Sequence, residues 1–428
     1  MKFGRICIVK EKTVWYNLLY EGGIAVTRQL TTKKEVGRLI LLFTMTYMVS
    51  YITRINFGAV ISEIEKSTAI SRSLLSMAVT GSFITYGTGQ IVSGVLGDKY
   101  SPKKLVSLGL AVTIAMNLLI SVCTSPYQML AVWCVNGFAQ SFMWPPLVRL
   151  MTALLSDEDY KKATAKVSLG SLFGTVSVYL LSPMLISASG WRSVFVFAAI
   201  CGVIMLVLWH RLSYEIENEP KPVIKKEEKV SGSMMFTPVM ILIMLAVILQ
   251  GMLRDGVTTW MPTYISEVYG LSNVISILTG VILPVFSILC VQATSALYRR
   301  NFKNPVAFGG IIFGVGTVSA ALLYLLSGNA VTLSVILSAA LTGCMHGVNF
   351  LLVCIIPAFF KKYGNVSTAS GVINSCTYIG SAVSTYGIAL LSERFGWNFT
   401  ILSWITVGLL GTVICLSFAA KWWKVYGE

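Results

Sequence analysis

Charge is what this chain has least of. Asp, Glu, Lys and Arg make up 12% of its 428 residues, hydrophobic residues make up 55%, and the mean hydropathy is +0.75. A water-soluble protein of this length would bury one or two cores beneath a charged exterior, whereas here the charges gather in short segments between apolar runs. Ten-residue strands alternating apolar with polar are also missing, which excludes a transmembrane barrel. Nine cysteines are scattered mainly through the apolar runs without metal-ligand spacing, so they read as reduced packing residues rather than a metal or redox centre. No nucleophile, base and orienting acid recur near one another, and no phosphate-cradling glycine loop follows a strand. The chain is therefore not read as an enzyme, and no cofactor is implied. The first 35 residues lack the apolar stretch and small-residue cleavage site of a secretory signal, and read as a cytoplasmic tail or an over-extended start.

What is present is a series of apolar runs of about twenty residues, each long enough to cross a bilayer core. They fall near residues 36–61, 73–96, 105–123, 127–150, 164–188, 191–210, 236–262, 271–296, 306–327, 330–356, 366–391 and 397–420. The expected fold class is an all-α membrane protein with 12 transmembrane helices in two six-helix halves, residues 36–211 and 236–420. Residues 212–235, a mixture of acids, lysines and prolines, read as a flexible cytoplasmic linker. Residues 421–428 form a cytoplasmic tail.

Basic residues in short loops stay on the cytoplasmic side. With the amino terminus inside, the cytoplasmic segments hold 27 of the 33 Lys and Arg residues, and the outer loops hold only Lys66, Arg72, Arg192 and Arg394. Both termini are thus expected to be cytoplasmic. The net charge of +15 is topological and does not signal nucleic acid. Two basic residues belong to no loop: Arg54 and Arg254.

These two arginines enter spans one and seven at similar depth, and the short loops after spans two and eight keep the same offset, Gly97, Asp98, Lys99 against Leu297, Tyr298, Arg299. They read as symmetry mates in a repeat whose ligand site lies near the bilayer midplane, between the halves. The competing reading is that each arginine snorkels to the outer interface. An arginine facing lipid at the bilayer centre costs about 2.5 to 3.5 kcal/mol, and two about 5 to 7, whereas a shared wet cavity removes that cost. Guanidinium groups there would offer planar, bidentate donors to a phosphate or carboxylate.

Helical spacing gives the pair neighbours, because residues three, four or seven apart share a face. Tyr47 and Tyr51 lie on the Arg54 stripe. Tyr86 and Gln90 share a face of span two, and Asn136, Gln140 and Trp144 share one of span four, just before Pro145 and Pro146. Gln250 and Thr258 join Arg254 in span seven. Thr342, His346 and Asn349 align in span ten, and Asn374, Tyr378 and Ser381 in span eleven. Any one of these could be interhelical hydrogen-bond glue, but the joint stripes favour a cavity.

Asp255 adjoins Arg254. Successive helical residues point about 100° apart, so the two are not expected to pair, and Asp255 is expected to meet another helix or the outer mouth. Proton coupling through Asp255 or His346 is the competing reading of these two groups. Glycine pairs such as Gly170 with Gly174, and Gly310 with Gly314, read as close helix packing.

The segments YITRINF (51–57), GFAQSFMWPP (137–146) and LRDGVTTWMPTY (253–264) resemble the organophosphate:phosphate antiporter family of the major facilitator superfamily, and the likeness runs across nearly all the spans. The loop GDKYSPKK (97–104) resembles the superfamily's shared cytoplasmic loop motif. The resemblance implies the major facilitator fold and a substrate phosphate held by Arg54 and Arg254, with Tyr47, Tyr51, Tyr86, Trp144 and Tyr378 as cavity aromatics. Departures accompany it. Ile55 stands where the family has a basic residue, Gln90 where it has a lysine, Leu172 where it has a histidine, Thr259 where it has an acid, and His346 where it has a tyrosine. The site is thereby less positive, which suits a less charged or differently shaped anion than a simple phosphate ester.

The expected function is a secondary transporter exchanging an organic phosphate, or a related small organic anion, for inorganic phosphate by alternating access. The candidate substrate-binding residues are Arg54, Arg254, Tyr47, Tyr51, Tyr86, Gln90, Gln140, Trp144, His346 and Tyr378. The alternatives are a proton- or sodium-coupled carboxylate symporter and a non-transporting sugar-phosphate sensor. Expected partners are the small anion, inorganic phosphate and the lipid bilayer, with the protein a monomer, and compact loops suggest a bacterial inner membrane.

Overall fold

The computed structural model describes residues 32–68, 70, 72–213, 235–271, 282–328, 330–363 and 365–427. Most of the expected N-terminal tail, and residues 214–234 of the expected linker, lie outside the described residues. Among the described residues the chain is helical, with no strand. In order it forms α1 (Lys33–Thr68), α2 (Arg72–Lys99), α3 (Pro102–Ile120), α4 (Pro126–Gln140), α5 (Trp144–Leu154), α6 (Asp157–Ser189) and α7 (Arg192–Leu212). Then follow α8 (Pro238–Tyr269), α9 (Ile282–Asn301), α10 (Pro305–Leu326), α11 (Val331–Asn349) and α12 (Val366–Trp422).

Local sequence explains many of the boundaries. Pro102, Pro126, Pro238 and Pro305 open their helices, where a missing N–H is harmless and a fixed φ is already helical. The preceding residue often completes the cap. Asn304 accepts from the backbone N–H groups of Val306 and Ala307 at 3.0 and 3.2 Å, and Thr237 from that of Met240 at 3.3 Å. Ser156 caps α6 in the same way, ahead of Asp157, Glu158 and Asp159, whose charges suit a helix amino terminus.

Two predicted spans are interrupted. The run 127–150 divides into α4 and α5, the break falling at residues 141–143, directly before Trp144-Pro145-Pro146. The tenth run leaves α-geometry after Asn349, through a π-helical Phe350–Ile355 into a 3₁₀ segment Ile356–Tyr363. The last two runs join in α12, bent at Gly396, whose φ of 77° suits a residue without a Cβ.

Nine helical stretches among the described residues are long and apolar enough to cross a membrane. The segments outside that set are α2, α4 with α5, and the first part of α12. α4 and α5 fall short because the break leaves each too brief, while α2 and the first part of α12 turn polar residues toward other helices, Gln90 meeting Asn374. Large apolar side chains face outward elsewhere: Leu325 is 70% exposed, Leu180 63% and Leu289 61%, a surface suited to lipid.

The helices before residue 213 pack chiefly on one another, α1 against α6 and α7, α2 against α4, and α3 against α7. Those after it do likewise, α8 against α11 and α12, and α10 against both. Gly170 and Gly174 bring α6 onto α1: a Cβ at either would lie 2.5 Å from the backbone oxygen of Thr44 or Met48. The two groups meet through α2 against the start of α12, and through α6 against α9. In a six-plus-six repeat these contacts are span two with eleven and span five with eight, which are equivalent pairs.

The end of the bundle that carries most of the lysines is closed. The carboxylate of Asp98 accepts from the backbone N–H groups of Ser367 and Thr368 at 2.9 and 2.7 Å, capping the amino terminus of α12 from the end of α2. Arg149 on α5 donates to the carbonyls of Gly97 and Tyr100. Across the bundle, the Tyr160 hydroxyl donates to the Cys354 carbonyl, joining α6 to the π-helical segment.

Candidate functional site

Arg54 is the structural anomaly at the centre of the molecule. Its side chain projects from α1, the residue is 8% exposed, and neither Nε nor Nη1 has a hydrogen-bond partner. Buried polar groups are normally paired, and a buried charge more so. What Arg54 has instead is aromatic faces: its guanidinium carbon lies 4.1 Å from the Tyr51 ring centroid and 4.4 Å from that of Tyr86. Two desolvated cation–π contacts stabilise the charge by about 2 kcal/mol or more each, while leaving the N–H edge of the group uncommitted.

The cage is continuous with most of the other predicted residues. Tyr51 packs on Tyr47 at 5.3 Å between centroids, and Tyr47 on Trp144 at 5.0 Å, while Tyr86 meets Tyr378 of α12 edge-on at 4.6 Å. Residues four apart on α1 stack because they share a face, and the break before Trp144 starts a new helix there. Tyr86 is 1% and Trp144 2% exposed, and the Tyr86 hydroxyl and Trp144 indole N–H also lack partners. Three kinds of buried donor are thus unused along this chain of aromatic contacts.

Arg254, on α8, is in the opposite condition. Nε donates to Oδ1 of Asp255 at 2.7 Å, Nη2 to Oδ2 at 2.8 Å, and Nη1 to Oδ1 of Asn349 at 3.0 Å. The expectation that Asp255 would not pair with Arg254 is therefore overturned. The 100° between neighbouring positions separates Cβ directions, but an arginine is long enough to fold back along its own helix and present its fork side-on to the adjacent carboxylate. Asp255 does also meet another helix, as expected, since it accepts from the Ser381 hydroxyl of α12. Both arginines interact electrostatically with Tyr51 and Tyr378, so they approach the same pair of rings from the two halves.

The remaining predicted residues divide. His346 lies within electrostatic reach of Arg254 and Asp255, with Nδ1 2.9 Å from the Thr342 carbonyl one turn back. With a carbonyl as acceptor, that nitrogen carries the proton. Gln90 bridges the halves, accepting from Asn374 at 3.0 Å and lying 3.5 Å from the Ser141 carbonyl. Gln140 turns away from the cage: its oxygen accepts from Ser50 at 2.6 Å and its amide donates to Thr53 at 2.8 Å. It belongs to a buried polar knot of α1, α3 and α4 in which Asn117 and Asn136 both donate to the Thr53 carbonyl. Gln250 is likewise occupied, donating to the Met345 carbonyl. These are the interhelical links that polar residues make inside bundles.

Of the positions that depart from the antiporter pattern, Ile55 packs beside Ile52, Val178 and Ala198, and Leu172 beside Leu169 and Val291 at the contact of α6 with α9. Both lie among apolar neighbours. The part of Asn349 in holding Arg254 was not read from the sequence, although it lies on the His346 face. No cluster of three or more His, Cys, Asp or Glu residues able to hold a metal occurs among the described residues.

Comparison with known proteins identifies the family and the fold. Residues 43–385 match the family model described as Major Facilitator Superfamily. The chain is 22% identical over 410 residues to a membrane sensor protein, UhpC, of Salmonella typhimurium, covering 86% of this chain and 90% of that one. It is 25% identical over 405 residues to the glycerol-3-phosphate transporter of Bacillus subtilis, covering 87% and 89%. Among solved structures, the proton:xylose symporter XylE bound to 6-bromo-6-deoxy-D-glucose shares the fold at a TM-score of 0.74 and 13% identity, over 91% of this chain and 96% of that one.

Proposed function

This chain belongs to the major facilitator superfamily, a multi-pass membrane protein resembling organophosphate carriers, and from that premise we propose that it exchanges an organic phosphate or related small organic anion for inorganic phosphate. In this reading it has twelve spans in two six-helix halves, residues 36–211 and 236–420, with the linker and both termini cytoplasmic. A bacterial inner membrane fits it.

The observation that carries the proposal is the buried, unpaired edge of Arg54. A guanidinium in an aromatic cage with unused N–H groups, beside an unused hydroxyl and an unused indole N–H, is a receptor for an anionic head. Arg254 forms the other pole. Its recorded hydrogen bonds use three of its five N–H groups, leaving two for ligand. Tyr47, Tyr51 and Tyr378 wall the anion, Gln90 and His346 border it, and Gln140 supports α1 from behind.

The closed basic end supports the alternating-access reading. Asp98 on the α12 terminus and Tyr160 on Cys354 tie the halves together there, which leaves the opposite end as the route of entry. An anion on Arg54 compensates its unpaired charge and lets the halves rock as one, so exchange is favoured over net transport. The likeness to a membrane sensor protein supports a second reading, ligand binding without flux.

The test is uptake of labelled inorganic phosphate into proteoliposomes preloaded with phosphate, without an ion gradient, followed by competition with sugar phosphates, glycerol phosphate and sugar acids. Exchange that disappears in Arg54→Ala and Arg254→Ala supports the antiporter. Ligand binding with no phosphate exchange would favour the sensor, and uptake that needs an ion gradient would favour a coupled carboxylate carrier.

A further inference from the structure

We propose that Asp255 makes the central site selective for singly charged over doubly charged anions, an inference that rests on the anion-clamp reading above. Among the described residues, the site holds three side chains that are charged throughout the neutral range: Arg54, Arg254 and Asp255. Among the described residues, the other titratable groups around them are Tyr47, Tyr51, Tyr86 and Tyr378 on α1, α2 and α12, His346 on α11, and Cys354 on the π-helical segment. With those neutral, two positive charges and one negative leave a single positive charge.

The geometry says where that charge is. Asp255 engages the side edge of Arg254 with both oxygens, so that guanidinium is already neutralised by a partner one residue away. Ser381 holds the carboxylate from α12 and Asn349 holds the far nitrogen of Arg254 from α11, so the pair is fixed from two other helices. The uncompensated cation is Arg54, whose Nε and Nη1 are unpaired. A monoanion seated there balances the site. A dianion brings a second negative charge into a space walled by tyrosines and Trp144, within reach of the Asp255 carboxylate and with no free cation to meet it. In the buried cage around Arg54 an unmatched charge is disfavoured, and the Asp255 side chain, 32% exposed, adds a repulsion that water moderates without removing.

Asp255 is therefore a specificity-determining residue that acts by removing one of the two positive charges a symmetric arginine pair would offer. The predicted substrates are the singly ionised forms of phosphate and phosphate esters, or monocarboxylates and sulfate esters of similar size.

Methyl sulfate and methyl phosphate test this directly. They are tetrahedral anions of nearly the same shape that differ by one charge at pH 8, where an unperturbed imidazole is neutral and a phosphate ester is fully ionised. Each is titrated into the full-length protein in lipid nanodiscs, for the wild type, Asp255→Asn and Asp255→Glu. The wild type is expected to bind methyl sulfate at least tenfold more tightly than methyl phosphate. Asp255→Asn, which keeps size and one acceptor oxygen, should abolish or reverse that ratio, and Asp255→Glu should retain it. A wild-type preference for methyl phosphate, or an unchanged ratio in a folded Asp255→Asn protein, overturns the assignment. If Asp255→Asn does not fold, the wild-type ratio still decides. Absence of saturable binding of either anion by the wild type would overturn the anion clamp itself, a separate outcome.

Discussion

Arg254 lies side-on to the carboxylate of its own neighbour, Asp255, donating from Nε at 2.7 Å and from Nη2 at 2.8 Å, while Asn349 takes Nη1 from another helix. The orientation of this guanidinium is thus set by three bonds in a plane. Arg54, which the sequence pairs with it, is held by ring faces instead. The two arginines are alike in depth and unlike in state, and that asymmetry frames the predictions.

Arg254→Lys keeps the charge and loses the fork. An ammonium cannot span both Asp255 oxygens and reach Asn349 in one plane. Phosphate exchange in proteoliposomes should fall at least about tenfold, consistent with loss of one charge-assisted hydrogen bond of about 1.5 to 3 kcal/mol. Normal initial rates in this variant would show that the fork is not used.

Tyr51 and Tyr86 hold Arg54 by their faces, so the Phe and Leu variants should separate. Tyr86→Phe keeps the face and removes only the unpaired hydroxyl. Tyr86→Leu removes the face as well, and should weaken anion binding by a further ~2 kcal/mol, roughly 30-fold. Tyr51→Leu should behave in the same direction. Competition titrations with unlabelled phosphate would read the difference, and equal affinities for the Phe and Leu variants would remove the cage from the account.

How much of this was legible beforehand follows from the range over which each feature is determined. The apolar runs, the two intramembrane arginines and the shared faces of Tyr47, Tyr51 and Arg54 depend on one helix at a time, and helical periodicity exposes them. Proline after Ser, Thr or Asn marks helix starts for equally local reasons. What Gln140 does is not local. Whether it faces a cavity or a knot depends on Ser50 and Thr53, ninety residues away in sequence. The Arg254–Asp255 pair was misread because spacing rules describe where Cβ atoms point, and a long flexible side chain need not follow.

Gly170 and Gly174 admit the closest approach of α6 to α1, because a Cβ at either would meet a backbone oxygen at 2.5 Å. A backbone carbonyl within a helix cannot rotate aside, so the helices must part. Gly174→Val should lower stability by about 1 to 3 kcal/mol or prevent folding. Thermal unfolding in detergent should show this as a lower midpoint or loss of the monodisperse peak, whereas Gly58→Ala, with nothing within 4 Å of its added carbon, should leave the midpoint nearly unchanged.

Asp98 stabilises closure of the basic end by accepting from two backbone N–H groups at the start of α12, where the helix dipole adds to the attraction. Asp98→Ala leaves Ser367 and Thr368 without these acceptors only while the halves are together, so the loss falls on the closed arrangement and shifts the population toward the open one. Charged hydrogen bonds contribute about 1.5 to 3 kcal/mol each, enough to raise the open fraction at least about tenfold. Cys354 reports that opening. It is buried at the contact of α6 with the π-helical segment, beneath the Tyr160 bond and 3.6 Å from the Ser168 hydroxyl. In a variant whose other eight cysteines are replaced by serine, a membrane-impermeant maleimide applied to inside-out vesicles should label Cys354 at least about tenfold faster once Asp98 is alanine. Asp98→Asn, which retains one acceptor oxygen without the charge, should fall between. Equal labelling rates in all three would mean that Tyr160 and the apolar contacts, not Asp98, keep that end shut.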